Sequence, residues 1–418
     1  MDRVYFVIDL KTFYASVECI ERGLNPFETN LVVADPSRGK GAICLAISPK
    51  MKMLGIKNRC RIYEIPEKIN YIIALPRMSK YIEYAANIYS IYLKYISKDD
   101  IHVYSIDEAF LDVTCYLKTY HLKSIELAKK IMKDIYDTYG ITATCGIGTN
   151  MYLAKIALDI MSKHSSNNIG WLNEERFQKE LWHHKPLTDF WQIGKGIERR
   201  LNRLGLYDMS DIANADSKRL YKEFGINAEF LIDHANGRES CTIEDIKKYK
   251  PKSNSISNSQ VLFEDYPYEK AKLVLKEMVE LLTLQLIEKN QVTDLIHLYI
   301  GYSKDQIEAT GGSRRLIYQT NQFTKLVEEF VKLYEQTTNQ SIPIRRIGIS
   351  FGRLQEETTK QMSLFEDEKT KETETKLQES ILEIKNKFGK NSLLKGMNLE
   401  EGATTKIRNN LIGGHNGY

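Results

Sequence analysis

The chain has 418 residues, too many for one hydrophobic core, and this length predicts two to four domains. An apolar fraction of 42% is normal for a globular protein, and no apolar run is long enough to span a bilayer. The net charge of +4 does not by itself establish nucleic-acid binding, because the distribution of charge matters more than its sum. The first residues lack the long apolar region of a signal peptide, so a cytoplasmic protein without membrane contacts is expected.

Strand and helix patterns interleave over the first 170 residues. The apolar run 4–8 predicts a central strand buried on both faces, which stops at Asp9. A mixed α/β or α+β domain follows from this interleaving. The further predicted elements are a helix over 12–20, a strand over 31–33, a helix over 80–96, a strand pair within 102–113, a helix over 124–139, a strand over 143–148 and a helix from 151.

The second half of the chain has a helical part, a polar linker and another mixed module. Residues 185–240 are mainly helical in pattern, and Lys, Ser and Asn dominate 241–260. After Leu354 the sequence becomes rich in Glu, Lys and Thr, and most of this tail is expected to be mobile. Within the module, helices are predicted over 268–288 and 322–336, and strands over 295–301 and 344–351.

The six cysteines and eight histidines give no metal-binding or redox pattern. No two cysteines are spaced as Cys-x-x-Cys, so reduced, partly buried thiols are expected. A structural zinc site is therefore not predicted.

Three acidic residues follow apolar strands. Asp9 ends the first strand, and Asp107 and Glu108 follow the strand 103–106. Each position alone is compatible with a cap or a turn. If the two strands are neighbours, the three carboxylates meet at one edge of the sheet, and their mutual repulsion is relieved by bound cations. Mg²⁺ fits such a site, because it takes oxygen ligands and keeps open positions for phosphate oxygens and water.

Two ten-residue motifs carry a family resemblance. Residues 9–18 read DLKTFYASVE and residues 104–113 read YSIDEAFLDV. The first resembles the opening motif of Y-family translesion DNA polymerases, and the second is similar to the second catalytic motif of that family. They occur in the expected order, and the UmuC-like bacterial branch is the most similar. The resemblance covers about the first 355 residues.

The resemblance implies a two-metal phosphoryl-transfer site. It assigns Asp9 and Asp107 to bridge two Mg²⁺ ions, and it assigns Glu108 to complete the site and help place the primer 3′-hydroxyl. The backbone carbonyl of Leu10 is implied as a further metal ligand. The implied enzyme is a template-directed DNA polymerase that adds dNTPs to a primer end, in DNA repair and damage-induced (SOS) mutagenesis.

Nucleotide-binding residues are also implied. Tyr14 resembles the steric gate that excludes a 2′-hydroxyl, and Phe13 would pack beside it. Lys52 and Lys163 would reach the triphosphate. The chain departs from many family members at Pro49 and Lys52, where Tyr and Arg are common, so the triphosphate grip is expected to be weaker or differently built.

A candidate DNA-binding hairpin lies within 193–206. Gly194, Lys195 and Gly196 open a helix, and Arg199 and Arg200 follow in it. A helix-hairpin-helix would use free backbone N–H groups at the helix start to take a DNA phosphate. A plain helical hairpin is the alternative, and the resemblance favours DNA.

Basic residues of the second module are plausible DNA contacts as well. Their pairing near strand ends suggests a basic edge, while ordinary surface charge is the alternative. These residues are Arg314, Arg315, Arg345, Arg346 and Arg353.

A short peptide just past this module resembles the motif by which bacterial polymerases bind the sliding clamp. Leu364 and Phe365 would enter an apolar pocket, Gln361 would bond its rim, and Met362 lies between them. A chance pentapeptide is the alternative. Recombinase filaments and other SOS accessory proteins are further possible partners implied by the family.

The implied fold class is a multidomain α+β right-hand polymerase with palm, small fingers, helical thumb and α/β little finger. The predicted domains are the palm at 1–10 and 78–170, the fingers at 11–77, the thumb at 171–240, a linker at 241–254, the little finger at 255–354 and the tail at 355–418.

Two alternatives from other classes remain open at this point. One is a catalytically weak, clamp-bound DNA-binding factor, which the departures at Pro49 and Lys52 favour. The other is a palm-type nucleotidyl cyclase, which can share paired carboxylates.

Overall fold

Apolar side chains collect around two separate sheets, one in residues 1–249 and one in residues 250–417. The structure is a computed structural model that describes residues 3–162, 165–251, 254–303, 307–357 and 368–418, without the side chains of 368–371. We refer to residues 1–249 as the first unit and to residues 250–417 as the second unit, and each is described by itself.

The elements of the first unit alternate between strands and helices before a run of helices. They are β1 (Tyr5–Leu10), α1 (Phe13–Ile20), β2 (Leu31–Val33), β3 (Ala46–Ile47), α2 (Pro49–Met53), β4 (Ile72–Ala74), α3 (Met78–Leu93), β5 (Ile101–Val103), β6 (Glu108–Asp112), α4 (Thr114–Tyr120), α5 (Ser124–Tyr139), β7 (Ala143–Gly148), α6 (Met151–Ile156), β8 (Ile169–Leu172), α7 (Glu174–Leu181), α8 (Lys195–Arg203), α9 (Met209–Ala213), α10 (Ser217–Phe224), α11 (Asn227–Ala235) and α12 (Ile243–Lys248).

The central sheet has the strand order β5-β6-β1-β7-β8, with β1 antiparallel to both neighbours. Side chains of β1 alternate between two cores: Phe6 and Ile8 face α3 and α5, while Tyr5 and Val7 face α6 and α12. Because helices cover both faces, all four side chains are buried. The prediction of a central strand buried on both faces is confirmed.

Three glycines let α6 and the helical turn that follows it lie directly against the central sheet. A Cβ atom at Gly146 would lie 2.0 Å from the carbonyl oxygen of Ala154, and one at Gly148 would lie 2.2 Å from the Ala154 nitrogen. A Cβ at Gly170 would lie 2.2 Å from the Ala157 carbonyl oxygen. Only glycine permits this approach of helix backbone to strand backbone.

A three-stranded sheet of order β3-β2-β4 lies between β1 and α3 in the sequence. Val32, Ile47 and Met51 form its small core with Cys44 and Cys60. Helix α2 begins at Pro49, and the Ser48 hydroxyl accepts a hydrogen bond from the Met51 N–H as its N-cap. All six cysteines are free thiols and four of them are buried, as the sequence predicted.

Helices follow one another from α7 to α12, and part of the predicted linker is among them. Residues 243–248 form α12, and Ile243 is buried against the central sheet. A capping box holds its start, because Thr242 and Asp245 exchange side-chain to backbone hydrogen bonds. The polar composition of 241–254 therefore conceals a short packed helix.

The second unit contains long strands and two long helices, then a C-terminal segment. Its elements are β9 (Ile256–Tyr266), α13 (Tyr268–Glu288), β10 (Gln291–Tyr302), β11 (Thr310–Thr320), α14 (Phe323–Thr337), β12 (Ile344–Gly352), β13 (Gln355–Glu356), α15 (Glu368–Phe388), α16 (Thr405–Arg408), β14 (Leu411–Ile412) and β15 (His415–Asn416).

The second sheet has the order β11-β10-β12-β9, and β13 pairs with β10. Helices α13 and α14 pack on one face, where Ile296, Leu298 and Ile347 are buried in the core. The alternate residues point to the opposite face, on which Tyr299 and Val261 are exposed. The unit therefore has one covered face and one open face.

The C-terminal segment is folded onto α13, although the sequence predicted a largely mobile tail. Glu277 of α13 is 1% exposed. Its carboxylate accepts hydrogen bonds from the Asn398 amide at 3.1 Å, from the N–H and hydroxyl of Thr404 at 2.7 and 3.0 Å, and from the Thr405 N–H at 3.2 Å. The composition did not reveal this anchor, because the bonded carboxylate lies more than 100 residues upstream.

Helix α15 also packs within the second unit. Ile381 is buried, and Glu374 accepts hydrogen bonds from the N–H and hydroxyl of Thr324 at the start of α14. The amphipathic stretch around Ile381 therefore packs against other parts of the second unit. Across both units the chain belongs to the α+β class, as predicted. No helix in the described ranges is long and apolar enough to cross a membrane.

Candidate active site

The backbone joins the carboxylate-bearing segments directly. The Leu10 N–H donates to the Asp107 carbonyl oxygen at 2.9 Å, and the Lys11 N–H donates to the Thr142 carbonyl oxygen at 2.8 Å. Thr12 then adopts a left-handed conformation with φ 49°, which is unusual for a residue other than glycine and turns the chain into α1. This turn fixes α1 at the same end of the sheet as the acids.

The three predicted carboxylates lie together at this end. Asp9 pairs with Glu108 in the register of β1 and β6, and Asp107 precedes β6. The Ser105 hydroxyl donates to Asp107 Oδ1 at 2.6 Å. Burial, and next the charges of Asp107 and Glu108, raise the pKa of Asp9 to about 7.

The donor set fits a divalent cation. Carboxylate oxygens are the ligands that Mg²⁺ prefers, and a cation would relieve the repulsion that raises the pKa of Asp9. Oε1 of Glu108 is buried, and the nearest cation to it among the described residues is the Lys155 ammonium at 2.9 Å. Within those parts, no three His, Cys, Asp or Glu side chains already converge to hold an ion.

Glu108 is instead paired with an ammonium. Lys155 Nζ lies 2.9 Å from Glu108 Oε1 and 3.0 Å from Oε2, and 3.0 Å from Asp159 Oδ2. Burial raises the pKa of Glu108, although the Lys155 ammonium lowers it. The third carboxylate therefore has a protein cation as its present partner.

The predicted sugar gate lies beside the carboxylates. Tyr14 is half-buried, and burial and then the Asp107 charge raise the pKa of its phenol. Its ring stacks on Tyr81 at a centroid distance of 4.4 Å and an interplanar angle of 16°. The Tyr81 hydroxyl donates to buried Glu18 at 2.8 Å. Phe13 is 2% exposed and packs in the core next to Tyr14, as expected for its neighbour.

One predicted triphosphate residue lies near this end of the sheet. Lys52 is exposed on α2, and its charge helps to lower the pKa of Lys11, for which burial is the larger cause. The Lys11 ammonium donates to the Asn168 side chain. The ammonium groups of Lys11 and Lys52 are therefore near each other, and that of Lys11 is also near Asp9. Lys163 lies outside the residues that the structure describes.

A cavity of about 350 Å³ adjoins the acids. Its walls are mainly apolar and come from α3 and from the segment 103–109, with Asp107 and Glu108 at one side. Asp107 and Glu108 therefore border open space that an external ligand could enter.

The candidate DNA-binding hairpin forms as two helices joined by a tight turn. Gly194 is the N-cap of α8, Gly205 has φ 79°, and α9 follows. A Cβ at Gly194 or Gly196 would meet nothing within 4 Å, so internal packing does not require these glycines. Lys195 is exposed beside them.

The basic residues of α8 differ from each other. Arg199 is exposed. Arg200 binds the Glu223 carboxylate at 2.7 Å and lies over the Phe224 ring at 4.3 Å, so its guanidinium holds α8 against α10. Sequence alone could not separate these two neighbours, because the acidic partner comes from another helix.

The five arginines of the second unit do not form one basic edge. Arg314 is bound to Glu329 at 3.2 Å and to Gln336, on the helix-covered face. Arg345 lies 3.5 Å from Asp265. In the register of the strands, residues 314 and 315 point to opposite faces, so at most one of them reaches a ligand on the open face.

The open face holds Arg315 and Arg346, and Arg353 follows the end of β12. Arg353 and Arg315 share buried Asp294, at 2.8 and 3.5 Å. Arg346 is exposed, and no ion pair with it occurs among the described residues. The clamp peptide, with Gln361, Met362, Leu364 and Phe365, lies outside the residues that the structure describes.

Some residues of this site were not singled out from the sequence. Lys155, Lys11 and Tyr81 all touch or approach predicted site residues. Lys155 and Asp159 have the i,i+4 spacing of a helical ion pair, which was the available signal for that pair. Tyr81 carried no signal, because its stacking on Tyr14 depends on the packing of α1 against α3.

The chain matches a protein family over both units, and it is similar to curated proteins over nearly its whole length. The impB/mucB/samB family matches residues 8–159, and the C-terminal domain of that family matches residues 253–364. The putative UV-damage repair protein UvrX of Bacillus subtilis (strain 168) is 32% identical over 415 residues, covering 98% of this chain and 96% of that protein. DNA polymerase IV 2 of the same organism is 30% identical over 431 residues, covering 99% of each.

A solved structure has the same fold. The Y-family DNA polymerase chimera Dbh-Dpo4(243-245)-Dbh matches with a TM-score of 0.65 and 23% identity, covering 83% of this chain and 98% of that one. With the two family matches, the full-length relatives and the carboxylates of β1 and β6, the chain belongs to the impB/mucB/samB family, the Y-family DNA polymerases.

Proposed function

We propose that this Y-family enzyme is a template-directed DNA polymerase that copies damaged templates by two-metal phosphoryl transfer. The observation that carries the proposal is the grouping of Asp9, Asp107 and Glu108 at one end of the central sheet, next to Tyr14. Similarity to relatives whose names denote DNA polymerase IV 2 and UV-damage repair supports both the reaction and the biological setting. A role in the SOS response belongs to the same proposal.

Asp9, Asp107, Glu108 and the Leu10 carbonyl would hold the Mg²⁺ ions. When bound, such ions supply positive charge for the attacking and leaving oxygens of an in-line displacement. The protein contributes orientation. The Leu10 to Asp107 backbone bond keeps the strand ends in register, and the Ser105 hydroxyl orients one oxygen of Asp107.

Tyr14 would select the sugar of the incoming nucleotide. Its ring is fixed by the stack on Tyr81, so it cannot swing aside to admit a 2′-hydroxyl without breaking that contact. Lys52, Lys163 and Lys11 would supply positive charge toward the triphosphate. Lys52 and Lys11 already lie close enough to repel each other, which a polyanion would relieve.

DNA would be gripped at the start of α8 and on the open face of the second sheet. Gly194 and Gly196 leave backbone N–H groups open to a phosphate, and exposed Lys195 and Arg199 add charge. Arg346 is the arginine of the second unit best suited to a phosphate, while the acid partners of the others reduce their availability. A sliding clamp would bind the 361–365 peptide, and the sequence alone supports that part.

Primer extension tests the proposal. The wild-type protein with Mg²⁺ and dNTPs should extend a primed template, and Asp107→Asn should lower the rate about a thousandfold or more. Asp137→Asn, which changes an exposed carboxylate on α5, is the matched control and should leave the rate unchanged. Templates with and without an abasic site measure lesion bypass.

The outcomes also separate the alternatives. DNA binding without extension under any condition would favour a binding factor, and release of a cyclic nucleotide without template would favour a cyclase. Retention of the wild-type rate by Asp107→Asn would contradict the metal assignment. Tyr14→Ala should raise ribonucleotide incorporation at least about tenfold, since the gate ring is removed.

A further inference from the structure

A buried ammonium lies within the proposed metal site. The Lys155 side chain is 9% exposed, and both oxygens of Glu108 are within 3.0 Å of its Nζ. A carboxylate that faces one ammonium with both oxygens has the arrangement that it would otherwise adopt toward a metal ion. Glu108 is therefore directed at a protein cation.

The fold leaves Lys155 little freedom to withdraw. Gly146 and Gly148 allow the backbone of α6 to contact β7, which brings Lys155 within reach of β6. A π-helical turn over Ala157–Met161 follows, and in it Asp159 holds the other side of the ammonium at 3.0 Å. Such turns are rare and often mark functional sites.

A fixed ammonium at this distance affects any second cation on the same carboxylate. Glu108 can serve Lys155 and a divalent ion together only by dividing its oxygens between them. The two cations then repel each other across a poorly hydrated site, where charges interact more strongly than in bulk water. Asp159 offsets part of this repulsion, because it supplies the ammonium with a second negative partner.

We propose that Lys155 is a resident counter-cation of the metal site, a positioning residue that holds Glu108 in the metal-free protein and weakens divalent-metal binding there. This inference rests on the proposed polymerase site. Lys155 stabilises the acid cluster while no metal is bound, and an arriving ion must share Glu108 with it. Lys155 thus lowers the affinity for divalent metal and, in return, keeps the Glu108 carboxylate in place before metal binds.

Mn²⁺ binding to the full-length protein, without DNA or nucleotide, tests the sign of this effect. Free Mn²⁺ is measured by electron paramagnetic resonance, so the readout does not depend on activity. Lys155→Met should bind Mn²⁺ about tenfold more tightly than the wild type, because the competing charge is removed. Lys155→Arg keeps the charge and should stay within about threefold of the wild type. Lys118→Met, which changes an exposed lysine on α4, is the control.

A second variant keeps the test decisive if Lys155→Met does not fold. Asp159→Asn removes the anion that offsets the ammonium, so it should weaken Mn²⁺ binding by about threefold. Equal or weaker binding by folded Lys155→Met, or tighter binding by Asp159→Asn, would overturn the proposal.

The same titration separates this inference from the proposed function. Asp9→Asn and Asp107→Asn should each abolish most Mn²⁺ binding. If they do not, the proposed metal site itself is wrong. If they do, and Lys155→Met still binds no more tightly than the wild type, only the role of Lys155 is refuted.

Discussion

In the central sheet of the first unit, β1 is antiparallel to both of its neighbours, and in the second sheet the same is true of β10. The two sheets differ in where their charged side chains lie. In the central sheet, Asp9, Glu108 and Lys155 are clustered between packed elements. In the second sheet, Arg315 and Arg346 lie on the open face, and the exposed Arg353 follows β12. Clustered charges change each other's protonation and can act on a substrate, whereas exposed ones are screened and serve mainly as counter-charge.

This contrast teaches that catalysis and grip impose different packing requirements. A reactive cluster needs elements pressed together, as α6 is pressed on β7, and the close approach tolerates few substitutions. A surface that binds a polyanion needs exposed, positively charged side chains, and most single substitutions there cost little stability. Four substitutions test whether this division holds.

The largest effect is expected from Gly146→Ala. The new Cβ would lie 2.0 Å from a backbone oxygen, so α6 must shift, and we expect a loss of about 3 kcal/mol or more in the free energy of unfolding. The control is Gly348→Ala in the second sheet, whose nearest neighbour would be at an ordinary 3.4 Å. Denaturant unfolding measures both, monitored in the first unit for Gly146→Ala and in the second unit for Gly348→Ala. If both variants lose the same unfolding free energy relative to the wild type, the contrast between the sheets is contradicted.

Glu277→Gln should have the next largest effect, and it probes a clustered charge in the second unit. The carboxylate accepts four hydrogen bonds from the C-terminal segment, and an amide cannot accept all of them with its NH₂ group. We expect a loss of about 2 kcal/mol and faster hydrogen exchange over 396–408. The exposed control is Glu328→Gln on α14, which should change stability by less than about 0.5 kcal/mol.

A smaller, pH-dependent effect is expected from Asp9→Asn. The pKa of Asp9 is raised from 3.8 to about 7 in the folded, metal-free protein, so folding is penalised progressively as pH rises through that range. Between pH 6 and 8 in EDTA, the wild type should lose about 1 kcal/mol more stability than Asp9→Asn. Thermal melting at the two pH values measures the difference, and an identical pH response of both proteins would contradict it.

Arg346→Ala should change stability least. It should weaken DNA binding about two- to fivefold and reduce the slope of log affinity against log salt by about one, as for one lost phosphate contact. Arg314→Ala is the control, because that guanidinium is bound to Glu329 on the covered face. It should leave DNA affinity unchanged. Fluorescence anisotropy at several salt concentrations measures both, and the reverse pattern would place the DNA on the other face.

Local sequence patterns were sufficient for the elements that carry chemistry. The apolar run before Asp9 predicted β1, and the acids after each strand predicted where the carboxylates meet. The predicted helix over 268–288 has the same bounds as α13, Tyr268–Glu288. The fold class was accessible in the same way.

Contacts between distant segments were not accessible. Lys155 reaches Glu108 only because glycines on β7 allow α6 to lie flat on the sheet. Arg314 is ion-paired because the alternation of side chains along β11 directs it toward α14, where the Glu329 carboxylate lies 3.2 Å away. The order of the C-terminal segment depends on Glu277, whose partners follow it by 121 residues or more. In each case the composition of the segment did not reveal its contacts, because the partner residue is distant in the sequence.

The anchoring of the C-terminal segment also sets where this chain can be cut. A shortened protein that ends before residue 396 would lose all four hydrogen-bond donors of the Glu277 carboxylate, together with the segment that covers it on α13. The side of α13 that this segment covers would then face water, so such a truncation should lower the stability of the second unit and favour aggregation. Boundaries for expressing the second unit separately therefore belong near residue 417, well beyond the last strand of its sheet.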